Sequence, residues 1–160
     1  MSVGFSHEHA KKIGEKSYEV DSKFSPVNPS TQGWHFNVSK PGETDSRIII
    51  MTFMLIAAYS CFDEALKYRK NSVKYDECLY DGLMYLGYSL HPVQDYYAHT
   101  DDRVGTLYIP INMTQSLILK FHSPFDGTDS ARKRWEQLKL TKDITILILS
   151  ETYNMYRDLF

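Results

Sequence analysis

The sequence has few cysteines, no dense run of basic residues and no apolar leader. It contains two cysteines, Cys61 and Cys78, in 160 residues, so no disulfide framework is indicated. The formal net charge is -2, and without a Lys/Arg-rich stretch a large nucleic-acid footprint is not expected. The N-terminal segment lacks the apolar core of a signal peptide, so we expect a cytoplasmic protein.

Long uninterrupted apolar runs are also scarce. The longest, 48–62, is interrupted by Thr52 and Ser60 and is shorter than the roughly 20 residues of a membrane-spanning helix. We therefore expect it to form the central buried helix rather than a transmembrane segment. With 42% hydrophobic and 24% charged residues, the composition is typical of a globular chain. The length predicts a single domain, 1–160, of unknown oligomeric state.

Helical periodicity dominates the chain, and one loop rich in Pro and Gly interrupts it. Ser6 can cap a first helix that ends near Glu19, and a second helix is predicted from Ser46 to about Arg69. The loop between them, 20–43, is long enough to indicate a functional role. Other helices are predicted from about 73 into the stretch near 91, at 115–121, 131–140 and 142–159. The prediction is an all-α domain of five or six helices with long metal-binding loops.

The stretch 86–101 carries the strongest chemical signal. His91, Asp95 and His99 are spaced four residues apart, which places them on one face of a helix. Imidazole and carboxylate groups on one face are typical ligands of zinc or a similar divalent metal. Pro92 cannot donate a backbone hydrogen bond, so we expect a kink that turns Asp95 and His99 relative to His91.

Other histidines extend this pattern. His35 lies between Trp34 and Phe36 in the long loop, which Asp21 begins. His122 and Asp126 repeat the four-residue spacing, and Ser123 with Pro124 resembles a helix start. Near the N-terminus, His7 and His9 are two residues apart, so they cannot bind the same metal ion while helical.

The order of these motifs resembles the zinc-dependent phospholipase C and P1 nuclease superfamily. The similarity rests on Tyr85-Leu86-Gly87 leading to His91 and Asp95, on the dipeptide His35-Phe36 after Asp21, and on the later histidines. The segment Gln94 to His99 also resembles the related fungal heterokaryon-incompatibility C-type proteins. The resemblance implies an all-helical hydrolase with two to three zinc ions.

The resemblance also implies a ligand set. One zinc ion would be bound by Asp21, His35, His91 and Asp95, and a second by His99, His122 and Asp126. A third ion would use His7, with His9 as the weaker candidate. The N-terminal Trp that completes the third site in the family has no counterpart here, because the chain begins Met1-Ser2.

Clustered divalent ions suit the hydrolysis of phosphate esters, because one ion lowers the pKa of a bound water and others hold phosphate oxygens. Asp21 is the candidate catalytic residue, as a ligand that orients this water or as its general base. We expect a phospholipase C-like phosphodiester hydrolase that acts on a phospholipid headgroup. The alternatives are a P1-like nuclease or nucleotide phosphatase, and a non-catalytic binding protein that a metal stabilises.

Overall fold

The computed structural model describes residues 3–25, 28, 30–35, 39, 43–70, 72–98 and 131–160. Within these ranges the regular structure is helical, which confirms the predicted all-α class. A short 3₁₀ helix, Gln32–Trp34, precedes the second α-helix. The described part contains four α-helices, in the order α1 (His7–Lys23), α2 (Ser46–Ala65), α3 (Val73–Ala98) and α4 (Ala131–Tyr156).

This number is smaller than the predicted five or six helices for an identifiable reason. The sequence predicts two helices at 131–140 and 142–159, and the structure has the single helix α4. Thr141 lies within α4, and its hydroxyl donates to the carbonyl of Gln137 at 2.8 Å, a position that helices tolerate for Thr. The predicted extended piece at 106–111, the helix at 115–121 and the helix start at Ser123 lie outside the described residues.

The central helix is α3, which packs against α1, α2 and α4. Its buried side chains recur at helical spacing and form most of the core, together with Phe62 of α2 and Ile13 of α1. The buried stripe of α3 consists of Tyr75, Leu79, Leu83, Leu86 and Leu90. This stripe lies on the same helix as His91 and Asp95, so the packing of the core positions those two side chains.

The prediction that α2 is the central buried helix is wrong. Ile49, Phe53 and Ile56 are 39%, 62% and 59% exposed and lie along one side of α2. By length and composition alone α2 could cross a membrane, with a mean hydropathy of 1.6 over 18 residues, of which 17% are buried. One such helix is weak evidence for a membrane span. The apolar composition of α2 therefore does not reflect burial on all sides.

Pro92 does not end α3, which continues for six residues to Ala98. The missing N–H of Pro92 removes one hydrogen bond of the helix. His91 and Asp95 nevertheless remain neighbours on one face, because the His91 Nε2 and Asp95 Oδ2 atoms are 3.2 Å apart. The expected displacement of Asp95 from His91 by a kink is therefore wrong.

Helices α1 and α3 approach most closely at Gly87. A Cβ atom on Gly87 would lie 2.6 Å from the backbone oxygen of Ile13 and 3.2 Å from the backbone nitrogen of Ser17. Only a residue without a side chain allows this approach. Gly87 is one helical turn before His91, and Ser17 is one turn before Asp21, so the contact brings the two site-bearing turns together.

Replacing Gly87 with Ala should separate α1 from α3. We expect Gly87→Ala to lower the free energy of unfolding by about 1–3 kcal/mol, as overpacking of a dense contact does. Gly14→Ala is the matched control, because a Cβ at Gly14 meets nothing within 4 Å. It should be neutral or stabilising by up to about 1 kcal/mol, since Ala favours helix more than Gly. Urea unfolding of both variants measures this, and equal stabilities would contradict the proposed close approach.

Candidate metal centre

Asp21 lies in the last turn of α1, and the prediction that it begins the loop is wrong. The helix continues past the predicted end at Glu19 because Val20 is fully buried, and it ends where the N–H of Phe24 bonds the Val20 carbonyl. The Asp21 side chain is 41% exposed. The extra turn directs this carboxylate towards α3 and leaves one side of it open to solvent.

His35 follows the 3₁₀ helix and is held within a compact turn. Its N–H donates to the carbonyl of Gln32 at 3.0 Å, and the preceding Trp34 stacks on Phe24 with ring centroids 4.1 Å apart and planes at 3°. The ring of His35 is completely buried. The aromatic stack thus fixes the loop against the end of α1 and directs His35 inward, as its position between two aromatic residues suggests.

The four predicted ligands of the first zinc ion converge on one point. The His35 Nδ1 atom is 3.0 Å from Asp95 Oδ2 and 3.8 Å from Asp21 Oδ1. The His91 Nε2 atom is 3.1 Å from His35 Nδ1, 3.2 Å from Asp95 Oδ2 and 3.5 Å from Asp21 Oδ1. Asp21, His35 and His91 form a group that could hold a metal ion, and Asp95 lies against it.

These separations are close to those between neighbouring donor atoms bound to one metal ion. Zinc bonds to nitrogen and oxygen are about 2.0–2.1 Å long, so neighbouring donor atoms lie about 3.3 Å apart in tetrahedral geometry. The five separations between 3.0 and 3.8 Å bracket that value. A set of two imidazoles and two carboxylates also binds zinc and similar transition metals in preference to magnesium or calcium, which prefer oxygen ligands alone.

The hydrogen bonds of His35 indicate which side of its ring faces the centre. Its Nε2 atom lies 2.7 Å from the carbonyl of Phe24, which only accepts, so Nε2–H is the donor in this contact. Its Nδ1 atom lies 3.0 Å from the Asp95 carboxylate, an acceptor that favours a positive charge, either a proton or a metal ion, between the two groups. Metal-binding histidines commonly donate their second N–H to a backbone carbonyl in this way.

A proton is the alternative cation, and His91 is the group that takes it. Burial disfavours the charged imidazolium and lowers its pKa. The hydrogen bond and charge of Asp95, the charge of Asp21 and a hydrogen bond to the backbone of Ser17 outweigh burial, so the pKa of His91 lies above its ordinary value. The centre therefore attracts positive charge, and a proton and a metal ion compete for it.

An open pocket of about 370 Å³ reaches the centre from the side of α1. Asp21, His91 and Asp95 line it, together with Gly14, Ser17, Tyr18 and Gln94. Tyr18 is 79% exposed at its rim. Gln94 accepts a hydrogen bond from Ser17 at 3.2 Å and donates one to Thr145 at 3.4 Å. A water molecule or a small ligand can thus approach the centre beside Asp21.

Of the remaining predicted ligands, His7 and His9 are not brought to this centre. His7 is the first residue of α1 and is exposed, about 21 Å along the helix axis from Asp21 at 1.5 Å per residue. His9 packs on Phe160, with ring centroids 5.6 Å apart, near the C-terminus. His99, His122 and Asp126, assigned to a second zinc ion, lie outside the described residues.

Residues that sequence reasoning did not assign to the site also support it. Phe24 holds His35 by its carbonyl, and Arg47 lies beside Asp95 with its guanidinium paired to Asp45. Backbone carbonyls have no sequence signal. The only part of the pair with a sequence signal is Asp45, which is a good helix N-cap.

Comparison of the chain with known proteins identifies no relative. No protein-family model matches it, and no curated protein or solved structure gives a significant match. The centre is therefore characterised by its geometry and donor chemistry.

Proposed function

We propose that the protein is a zinc-dependent hydrolase of phosphoric esters whose metal centre is Asp21, His35, His91 and Asp95. One observation carries the metal centre: Asp21, His35 and His91 form a group whose donor atoms could hold a metal ion, and Asp95 Oδ2 lies within 3.2 Å of both imidazoles. The substrate class rests on the motif order shared with the phospholipase C and P1 nuclease superfamily. The preferred substrate is a phosphodiester such as a phospholipid headgroup, and a nucleotide is the alternative within the same class.

The position of Asp21 supports its role in hydrolysis. A bound zinc ion lowers the pKa of a coordinated water to near 7 and so supplies hydroxide. Asp21 is the most exposed of the four ligands and lines the pocket, so its carboxylate can orient that water and accept its proton. His35, His91 and Asp95 are buried, and they hold the centre rigid from the other side.

Further ions belong to the same proposal. The family resemblance implies a second zinc ion bound by His99, His122 and Asp126. Neighbouring ions would neutralise charge on the phosphate. Among the described residues, His7 is too far from Asp21 for a third ion to bridge the two. We therefore propose one ion at the described centre and a second ion from the later histidines.

A non-catalytic role remains the second candidate, and one observation favours it. Structural zinc sites have four protein ligands, whereas catalytic sites usually keep one position for water. The centre offers four protein donors, so Asp21 would have to move or zinc would have to become five-coordinate before water binds. Metal content and turnover, measured on the same preparation, distinguish a stabilising metal from a catalytic one.

The first prediction from this proposal concerns metal content. His91→Ala should remove most of the bound zinc and abolish the stabilisation by zinc, which amounts to about 2.7 kcal/mol at 100 times the dissociation constant. His9→Ala is the matched control, because His9 packs at Phe160 and not at the centre. Mass spectrometry of protein purified without added metal, with thermal unfolding in zinc and in chelator, measures both effects. Equal zinc loss in the two variants would contradict the ligand assignment.

The second prediction concerns pH. A folded-state pKa of His91 above its unfolded value contributes stability that is present below the unfolded pKa and is lost as pH rises through the folded pKa. In chelator, stability from His91 should therefore fall as pH increases above about 6.5. With zinc the trend should reverse, because fewer protons compete for the ligands.

Thermal unfolding across pH, with and without zinc, tests this prediction. His91→Gln is the reference variant, because it removes the titrating ring and should flatten the difference between the two curves. Parallel curves for the unmodified protein in zinc and in chelator would show that protons and metal do not share the centre.

The third prediction concerns turnover. The zinc-loaded protein should hydrolyse a phosphodiester or phosphomonoester, with a rate that rises through neutral pH as the bound water ionises. At saturating zinc, Asp21→Asn should lower kcat by about 10²–10⁴-fold, the usual contribution of a general base, and change KM less. A chromogenic lecithin analogue and a 3'-nucleotide are suitable substrates. Inactivity of the zinc-loaded protein on phospholipids, nucleotides and single-stranded DNA and RNA would leave the non-catalytic role.

A further inference from the structure

A second group of buried charges lies next to the metal centre and is not part of it. Arg47 is 2% exposed and Asp45 is 7% exposed, at the N-terminus of α2. The Arg47 Nε atom donates to Asp45 Oδ1 at 3.1 Å, and one terminal nitrogen donates to Oδ2 at 2.7 Å. This is the two-pronged arrangement in which an Arg–carboxylate pair is strongest and most directional.

The remaining terminal nitrogen of Arg47 reaches the metal centre. It donates to the backbone carbonyl of Asp95 at 3.4 Å, and the guanidinium lies 5.0 Å from the centre of the Tyr96 ring, within cation–π distance. Asp95 and Tyr96 are in the last turn of α3. Arg47 therefore joins the start of α2 to the turn that carries a metal ligand.

The part of α3 that carries Asp95 follows a proline. Pro92 has no N–H to donate, so this part of the helix has one backbone hydrogen bond fewer than a regular helix. Arg47 supplies a charged donor to the Asp95 carbonyl, and it also restrains the neighbouring ring of Tyr96.

Stability alone does not account for the pair. Removing two charges from water costs about as much free energy as their attraction returns, so apolar residues often stabilise a core at least equally well. Asp45 also caps α2 by accepting from the N–H of Arg47 at 2.9 Å, which anchors the pair to a rigid helix start. The position beside Asp95 is the feature that an apolar replacement would lose.

We infer that Asp45 and Arg47 are positioning residues that hold the Asp95 carboxylate in the geometry required for metal binding. This inference rests on the proposed metal centre. It predicts that the pair sets the affinity and the symmetry of the metal site, beyond any contribution to folding. Partners of this kind behind metal ligands typically alter metal affinity by about 10–100-fold.

Titration of Co²⁺ into metal-free protein tests the inference, because Co²⁺ occupies zinc sites and its visible absorption reports coordination geometry. Arg47→Lys keeps the charge and loses the planar fork. It should weaken Co²⁺ binding by about 10–100-fold and change the absorption bands. Asp45→Asn keeps a good helix cap but loosens the pair, and it should shift both quantities in the same direction.

Tyr156→Phe is the structural control. The Tyr156 hydroxyl donates to Asp63 at 3.0 Å and to the Tyr59 carbonyl at 3.4 Å, about 18 Å along α2 from Arg47. This variant should lose stability while keeping the Co²⁺ affinity and spectrum of the unmodified protein. An equal loss of affinity in Tyr156→Phe would show a general effect of destabilisation and would overturn the inference.

The remaining outcomes are also decisive. Arg47→Lys with unchanged affinity and unchanged bands overturns the positioning role and leaves the metal centre intact. If Arg47→Lys does not fold, the affinity and bands of Asp45→Asn decide the question by the same criteria. Failure of the unmodified protein to bind Co²⁺ or zinc refutes the metal centre itself, and with it this inference.

Discussion

The close contact between α1 and α3 at Gly87 is the constraint on which the candidate centre depends. Because Gly87 has no side chain, the backbone of α1 at Ile13 and Ser17 can lie directly on α3. The next turn of each helix carries a member of the group that could hold a metal ion, Asp21 on α1 and His91 on α3. A wider separation of the helices would move the carboxylate away from the imidazole, since both are attached to rigid helices.

Bringing several acceptor groups together is electrostatically unfavourable, and contacts from neighbouring residues help to hold them in place. Two carboxylates beside two imidazoles repel each other unless a cation lies between them. The ring of His35 is oriented by the carbonyl of Phe24, and the Asp95 backbone receives a charged donor from Arg47. These contacts hold the acceptors in an arrangement that could bind a metal ion with little reorganisation.

The same organisation separates a rigid side of the centre from an accessible one. His35 is completely buried, and His91 and Asp95 border the pocket with little exposure, whereas Asp21 is the most exposed of the four side chains there. Hydrolytic chemistry needs both properties, because ligands must be fixed while water and substrate enter. Asp21 is therefore the residue at which a structural centre and a catalytic one would differ most.

Helical geometry allows part of this site to be predicted from the sequence. The rest depends on how the helices and loops pack in the tertiary structure. The four-residue spacing of His91 and Asp95 places them together in any helix, and Ser6 marks a helix start by its capping chemistry. The sequence alone thus determined the all-α class and one pair of candidate ligands. The proximity of Asp21 and His35 to that pair agreed with a family resemblance but had no local signal.

Only the tertiary structure decided which apolar helix is central and how the charges pair. The composition of α2 predicts burial, yet α3 forms the core because its leucines face three other helices at once. The hydrogen bond from Arg47 to the backbone carbonyl of Asp95 likewise joins residues 48 positions apart, and side-chain periodicity carries no information over that distance. Periodicity specifies which residues share a face, whereas the packing of helices specifies which faces meet.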